Sequence, residues 1–167
     1  MGCASTAGGG LTESRRTAFL SELHKHQDIW AEHGLNDYQY TIAVNCGMCS
    51  KGPRVGPNQL KVENGAIVSQ TYIGETTIDY RLGGQFRKGK EVSGNHILND
   101  SIEELFNKIE KILQKKSNIA DQKYAAKNFY MNVKYHKELG FPTEIWYSDM
   151  TVTDAEFWLQ VENFAAQ

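Results

Sequence analysis

The dipeptide Asn64-Gly65 constrains this chain more than any other feature. It separates Leu60-Lys61-Val62-Glu63 from Ala66-Ile67-Val68-Ser69, two short runs that alternate apolar and polar residues. Asn and Gly both tolerate the positive φ that a type I′ turn requires, so the pattern predicts a β-hairpin. The second strand of that hairpin is expected to run on to Ile73. A further alternating stretch begins at Tyr38. Tyr38, Tyr40, Ile42 and Val44 fall on one face; Gln39, Thr41, Ala43 and Asn45 fall on the other. Period-two alternation of this kind belongs to an antiparallel sheet with one face packed and one wet.

Two segments carry the helical period instead. Over 13–33, Phe19, Leu23, His26 and Trp30 recur at helical spacing and Leu20 widens the stripe. Thr12 can cap the start and Gly34 can end it in the left-handed conformation. Arg15 and Arg16 stand at the unfavourable end of that helix for its dipole, and proximity to anionic headgroups is the one reason on hand. A second helix opens at Asn99-Asp100-Ser101, where Ser101 and Glu104 form a capping box. Ile102, Leu105, Phe106, Ile109, Ile112 and Leu113 give it a broad apolar stripe, and Lys115 and Lys116 suit its C-terminal end.

Between the hairpin and the second helix, residues 74–98 read as a surface loop, with 77–80 as a short edge strand. Gly83-Gly84 and Gly89 break the pattern, and Arg87, Lys88 and Lys90 form a small basic cluster. After the second helix come three more strands. Phe129, Met131, Val133 and Tyr135 alternate, as do Ile145 and Tyr147, and then Phe157, Leu159 and Val161.

The order is therefore helix, three strands, helix, three strands, which defines an α+β fold. The halves also answer each other in detail. Phe19-Leu20 with Leu23 matches Leu105-Phe106 with Ile109, and 57–64 matches 142–149, each opening on Pro at a strand start. The expectation is one domain over 12–167 behind a flexible tether, 1–11. Pseudo-repeats at about 13–73 and 100–164 would form an antiparallel sheet covered on one face by two helices.

A chain of 167 residues can bury roughly 70% of its unfolded surface and needs no metal or disulfide merely to fold. Eighteen basic against twenty acidic residues leave a net charge of -2, which argues against nucleic acid as a partner. No run reaches the ~18 apolar residues of a membrane span. The start, Met1-Gly2-Cys3-Ala4-Ser5-Thr6 followed by Gly8-Gly9-Gly10, reads as the cut end of a bacterial lipoprotein precursor with the lipid on Cys3. Gly2 with Thr6 also fits myristoylation, with Cys3 as a palmitoylation site; an incidental Cys in a plain tail is the third reading.

The chemistry on offer is sparse. Cys46-Gly47-Met48-Cys49 can be a short disulfide pinning a strand end, a redox dithiol, or half of a metal site. The redox reading wants a helix after the first Cys, and Lys51-Gly52-Pro53 follows instead. The metal reading wants about four ligands, and His24, His26, His33, His96 and His136 show no paired spacing. No Gly-x-Ser-x-Gly, His-Glu-x-x-His or phosphate-binding glycine loop occurs. Asp149 and Asp154 bracket a turn, where Asp serves local hydrogen bonds. No catalytic residue, cofactor or metal is expected. Trp146, Tyr147 and Trp158 make a possible interface, with core packing as the ordinary alternative.

Several of these pieces together carry a resemblance. They are Tyr38-x-Tyr40 running into Cys46 and Cys49; Pro57 and the strand to Asn64-Gly65; Ser101-Ile102 with Leu105-Phe106; and Val133-x-Tyr135 followed by Gly140-Phe141-Pro142, Ile145, Asp149 and Asp154. On them the chain resembles, over about 36–164, a bacterial family of domains of unknown function found largely in secreted proteins and lipoproteins. The family's cysteines are expected at Cys-x-Cys spacing, and this chain has two residues between them. The resemblance implies an extracytoplasmic setting and no known catalysis, cofactor or ligand.

The function expected is thus a lipid-anchored domain of the bacterial cell envelope, on the periplasmic face or outer surface, binding a protein partner or acting as a scaffold. A secreted soluble form is the alternative location. A thiol–disulfide redox protein using Cys46 and Cys49, and a small-ligand module in the concave face of the sheet, are the alternative activities.

Overall fold

Thr12 and Gly34 bound the first helix, as their chemistry predicts. The structure is a computed structural model and describes residues 11–45, 56–79, 84–92, 100–114, 129–150 and 156–167. Cys3, Cys46, Cys49, His96, Lys115, Lys116 and Asp154 lie outside the described residues. Helix α1 spans Glu13–His33. The Thr12 hydroxyl accepts the Arg15 N–H at 3.4 Å, and Gly34, at φ 60°, donates its N–H to the Ala31 carbonyl. Leu11, expected as the last tether residue, is buried, and its N–H donates to the Phe129 carbonyl at 2.9 Å.

Strand β1 (Tyr38–Asn45) follows, then the hairpin of β2 (Asn58–Glu63) and β3 (Ala66–Tyr72). Asn64 and Gly65 turn it at φ 52° and 73°, the positive values that Asn-Gly was expected to supply. Asp37 steadies the turn by accepting the Asn64 N–H on its carboxylate at 2.7 Å. The stretch read as a loop holds more order than its glycines suggested. β4 (Thr77–Asp79) pairs with β5 (Gly84–Phe86) as a separate two-stranded sheet, and β6 (Lys90–Glu91) joins the edge of β3. β4 is the short strand expected at 77–80, while β5 and β6, at three and two residues, are too short to show alternation and were not expected.

Helix α2 spans Ile102–Gln114 and buries Ile102, Leu105, Phe106, Ile109 and Leu113, the predicted stripe. The Ser101 arm of the capping box is present: its Oγ accepts the Glu104 N–H at 3.3 Å. Strands β7 (Phe129–Tyr135), β8 (Pro142–Asp149) and β9 (Glu156–Ala166) complete the chain.

The main sheet has seven strands in the order β6-β3-β2-β1-β9-β8-β7, each pair antiparallel. Its seam is β1 against β9, where the first strand of the chain meets the last. One face supplies the core: Tyr38, Tyr40 and Ile42 from β1, Leu60 and Val62 from β2, Ile145 from β8, Leu159 and Val161 from β9. Tyr38 is touched from both helices. The Trp30 ring of α1 meets it edge-on at 5.4 Å, and the Ile102 N–H of α2 donates to its hydroxyl at 3.1 Å.

Two irregularities shape this core. In β9 the register against β1 shifts by one residue around Asn163, which sits at φ 53°. The extra residue turns Phe164 onto the same side as Val161, where it stacks on Phe141 at 4.6 Å and meets Trp30 at 5.8 Å. Between β7 and β8, Gly140 (φ 79°) presses on α1: a Cβ there would lie 2.6 Å from the His26 carbonyl oxygen and 3.0 Å from Ile29. No side chain fits. Phe141 then enters the core and Pro142 opens β8, which gives the Gly-Phe-Pro segment its physical meaning.

Candidate functional site

Trp146 and Trp158 are direct cross-strand neighbours. β8 and β9 pair so that Trp146 opposes Trp158, Ile145 opposes Leu159, and Glu144 opposes Gln160. Ile145 and Leu159 are in the core, so period-two alternation sends both indoles to the opposite face, away from Trp30 and Tyr38. The register extends the row: Asn132 of β7 lies beside Trp146, and Asn45 of β1 lies beside Trp158. An Asn-Trp-Trp-Asn ladder thus crosses four strands. Asn45 directly precedes Cys46 in the chain.

The surroundings of the pair are polar. The Trp146 Nε1–H donates to Glu156 Oε1 at 3.3 Å, and Lys134 Nζ pairs with Glu144 Oε2 at 2.9 Å. Trp158 is 37% exposed, one of three large apolar side chains so open among the described residues, with Val68 and Met150. Tyr147 does not join the two tryptophans. It points to the other face, opposite Met131 and Phe157, with its ring 5.9 Å from Phe129. Burial, with help from the Asp149 charge, pushes its hydroxyl pKa up.

A second polar cluster lies on the packed side and was not legible beforehand. The Glu103 carboxylate, in the first turn of α2, accepts the Trp30 Nε1–H on one oxygen and the Tyr38 O–H on the other, both at 2.9 Å. Tyr38 therefore donates to Glu103 and accepts from the Ile102 N–H. The Tyr40 hydroxyl donates to the Asp100 carbonyl, and the buried Asp100 carboxylate pairs with Lys108. Burial pushes both tyrosine pKa values up, with the Glu103 charge adding in each case and the Ile102 N–H opposing at Tyr38. Both hydroxyls thus remain protonated donors. This cluster joins α1, β1 and α2. The available signal was two tyrosines on a covered face, whose hydroxyls must find partners.

One shallow pocket of about 150 Å³ lies at the β3–β6 edge, lined by Tyr72, Phe86, Arg87, Lys90 and Val92. Ligand sites typically take ~300–1,000 Å³. Among the described residues no group of three His, Cys, Asp or Glu could hold a metal ion, and no helix is long and apolar enough to cross a membrane.

The features define an α+β domain whose single large antiparallel sheet packs one face and presents polar residues and a tryptophan pair on the other. The chain belongs to the family of unknown function DUF6174, whose model matches residues 22–166. No curated protein and no solved structure matches it.

Proposed function

We propose that this protein is a lipid-anchored domain of the bacterial cell envelope that works by protein–protein contact or as a scaffold. In this reading Cys3 carries the lipid, residues 1–10 are the tether, and the domain stands on the periplasmic face or outer surface. Cys46 and Cys49 form a local disulfide staple at the end of β1. The observation that carries the contact reading is the Trp146–Trp158 pair on the face opposite the core. Tryptophan is enriched at interfaces and at their energetic centres, because a large rigid ring is desolvated at low entropic cost.

The pseudo-repeat belongs to the same reading, as a repeat of element order. Each half is a helix followed by a three-strand meander, and both meanders step across the sheet in the same sense. β1 and β7 run in opposite directions, since three antiparallel pairings separate them. A rotation that superposes the meanders therefore turns the sheet over.

The test has two parts. Intact-mass measurement of the chain from native membranes is expected to show acyl chains on Cys3, and Cys3→Ser to release it into the soluble fraction. Photo-crosslinking from position 158 in intact cells is expected to trap protein more efficiently than from the exposed position 68. An unmodified Cys3 overturns the anchor; equal trapping at both positions overturns the contact face.

A further inference from the structure

We propose that the Trp146–Trp158 face receives an arginine- or lysine-bearing segment of a partner protein. The proposal deepens the contact reading above and is independent of the lipid.

Three observations point to a cationic occupant. First, the two indoles stand side by side on an open face, and the Trp146 N–H is already taken by Glu156. Indole rings of this kind attract a guanidinium or ammonium placed over the face within ~6 Å, and Trp158 is the more exposed of the two. Second, the charge around the rings is one-sided. Among the described residues, Lys134 is matched by Glu144, and Glu156 and Glu162 are exposed carboxylates on this part of the face with no cationic partner among those residues. Third, the geometry is linear. Trp158, Gln160 and Glu162 alternate along β9 on the same side, each pair spaced by two residues or ~6.8 Å. An extended basic segment lying along β9 can stack one cation on Trp158 while another meets Glu162. Arg fits better than Lys, since its planar, weakly hydrated head stacks on an indole and pairs with a carboxylate.

The same features disfavour other occupants. An anionic segment would meet two carboxylates. A neutral glycan could lie on the rings and donate hydroxyls to Glu162, but it would leave the negative charge of Glu156 and Glu162 uncompensated.

The test uses the full chain without its lipid, titrated with an acetylated and amidated hexa-arginine peptide at physiological ionic strength and read by tryptophan fluorescence and calorimetry. Hexa-glutamate and cellohexaose are the comparison ligands. Hexa-arginine is expected to bind and the other two not. Trp158→Leu is expected to weaken binding roughly tenfold, the loss of one partly desolvated cation–π contact. Glu162→Gln is expected to weaken it about threefold and flatten its salt dependence. Val68→Ser, on a distant strand, should leave it unchanged, and circular dichroism checks that each variant is folded. If Trp158→Leu binds hexa-arginine like the parent, charge alone is responsible and the platform is refuted. Binding of cellohexaose or hexa-glutamate in place of hexa-arginine, or no binding at millimolar peptide, refutes it equally. None of these outcomes bears on Cys3, so the failure of the anchor and the failure of this proposal are separately visible.

Discussion

Replacing Glu103 with Ala should be among the most damaging changes made outside the apolar core. The carboxylate accepts from two donors in the packed layer, the Trp30 Nε1–H and the Tyr38 O–H, each at 2.9 Å. Trp30 is 6% exposed and Tyr38 is 0% exposed, so water replaces the carboxylate poorly. A buried donor left unsatisfied costs ~1–3 kcal/mol, so two cost ~2–6 kcal/mol. For a chain of this length each kcal/mol lowers Tm by ~2–4 °C, which gives a fall of roughly 5–20 °C. Tyr38→Phe should cost less, about 1–2 kcal/mol, because the Ile102 N–H belongs to the first helical turn and the half-buried Glu103 retains Trp30. Glu103→Gln keeps one acceptor oxygen and should fall between parent and Ala. Urea unfolding of the two single variants and the double variant closes a cycle. Because both changes remove one shared bond, the losses should fall short of additivity by about 1 kcal/mol or more. Additive losses, or a Glu103→Ala cost under ~0.5 kcal/mol, refute the idea that this carboxylate ties α1, β1 and α2 together.

Three further outcomes follow from the packing. Gly140→Ala should destabilise by on the order of 3 kcal/mol, since the left-handed backbone and a 2.6 Å approach to the His26 carbonyl combine; Gly65→Ala, with nothing within 4 Å, should cost only ~1–2 kcal/mol in the same denaturation assay. Phe164→Ala removes a ring that contacts Trp30, Tyr38 and Phe141 and should cost ~2–4 kcal/mol by thermal unfolding. His26 stacks on Tyr135 at 4.0 Å, with its Nδ1 buried and unpartnered. Burial lowers its pKa below 6.5, with Lys25 helping and Glu22 opposing. The unfolded chain then takes up the proton first. Its contribution is nil above pH 6.5, and stability falls as pH drops from about 6.5 towards the folded value. His26→Phe keeps the stack and should flatten that part of the stability–pH curve; an unchanged slope refutes the assignment.

Much of the fold was written locally. Thr12, Gly34, Asn64-Gly65 and Ser101 mark boundaries through backbone chemistry that acts within four residues, and the structure uses each of them. What was hidden depends on partners far along the chain. Glu103 reads as an ordinary acidic residue in a first helical turn; its bonds to Trp30 and Tyr38 span 73 and 65 residues. Phe164 falls out of phase with Leu159 and Val161, and only the shift at Asn163 against β1 restores it to the core. The candidate site divides along the same line. Grouping Trp146, Tyr147 and Trp158 conflicts with a local rule, because adjacent residues of a strand face opposite ways, and Tyr147 duly packs against Phe129. That Trp146 and Trp158 share one face and stand opposite each other needed the register of β8 on β9. The segment joining those strands, between Asp149 and Glu156, has no Asn-Gly in its sequence to fix the pairing. Register there is set instead by the apolar set Ile145 and Leu159, since a one-residue slip of β9 on β8 would carry Leu159 out of the core and Trp158 into it. The tryptophan pair is therefore held in place by the packing of the opposite face.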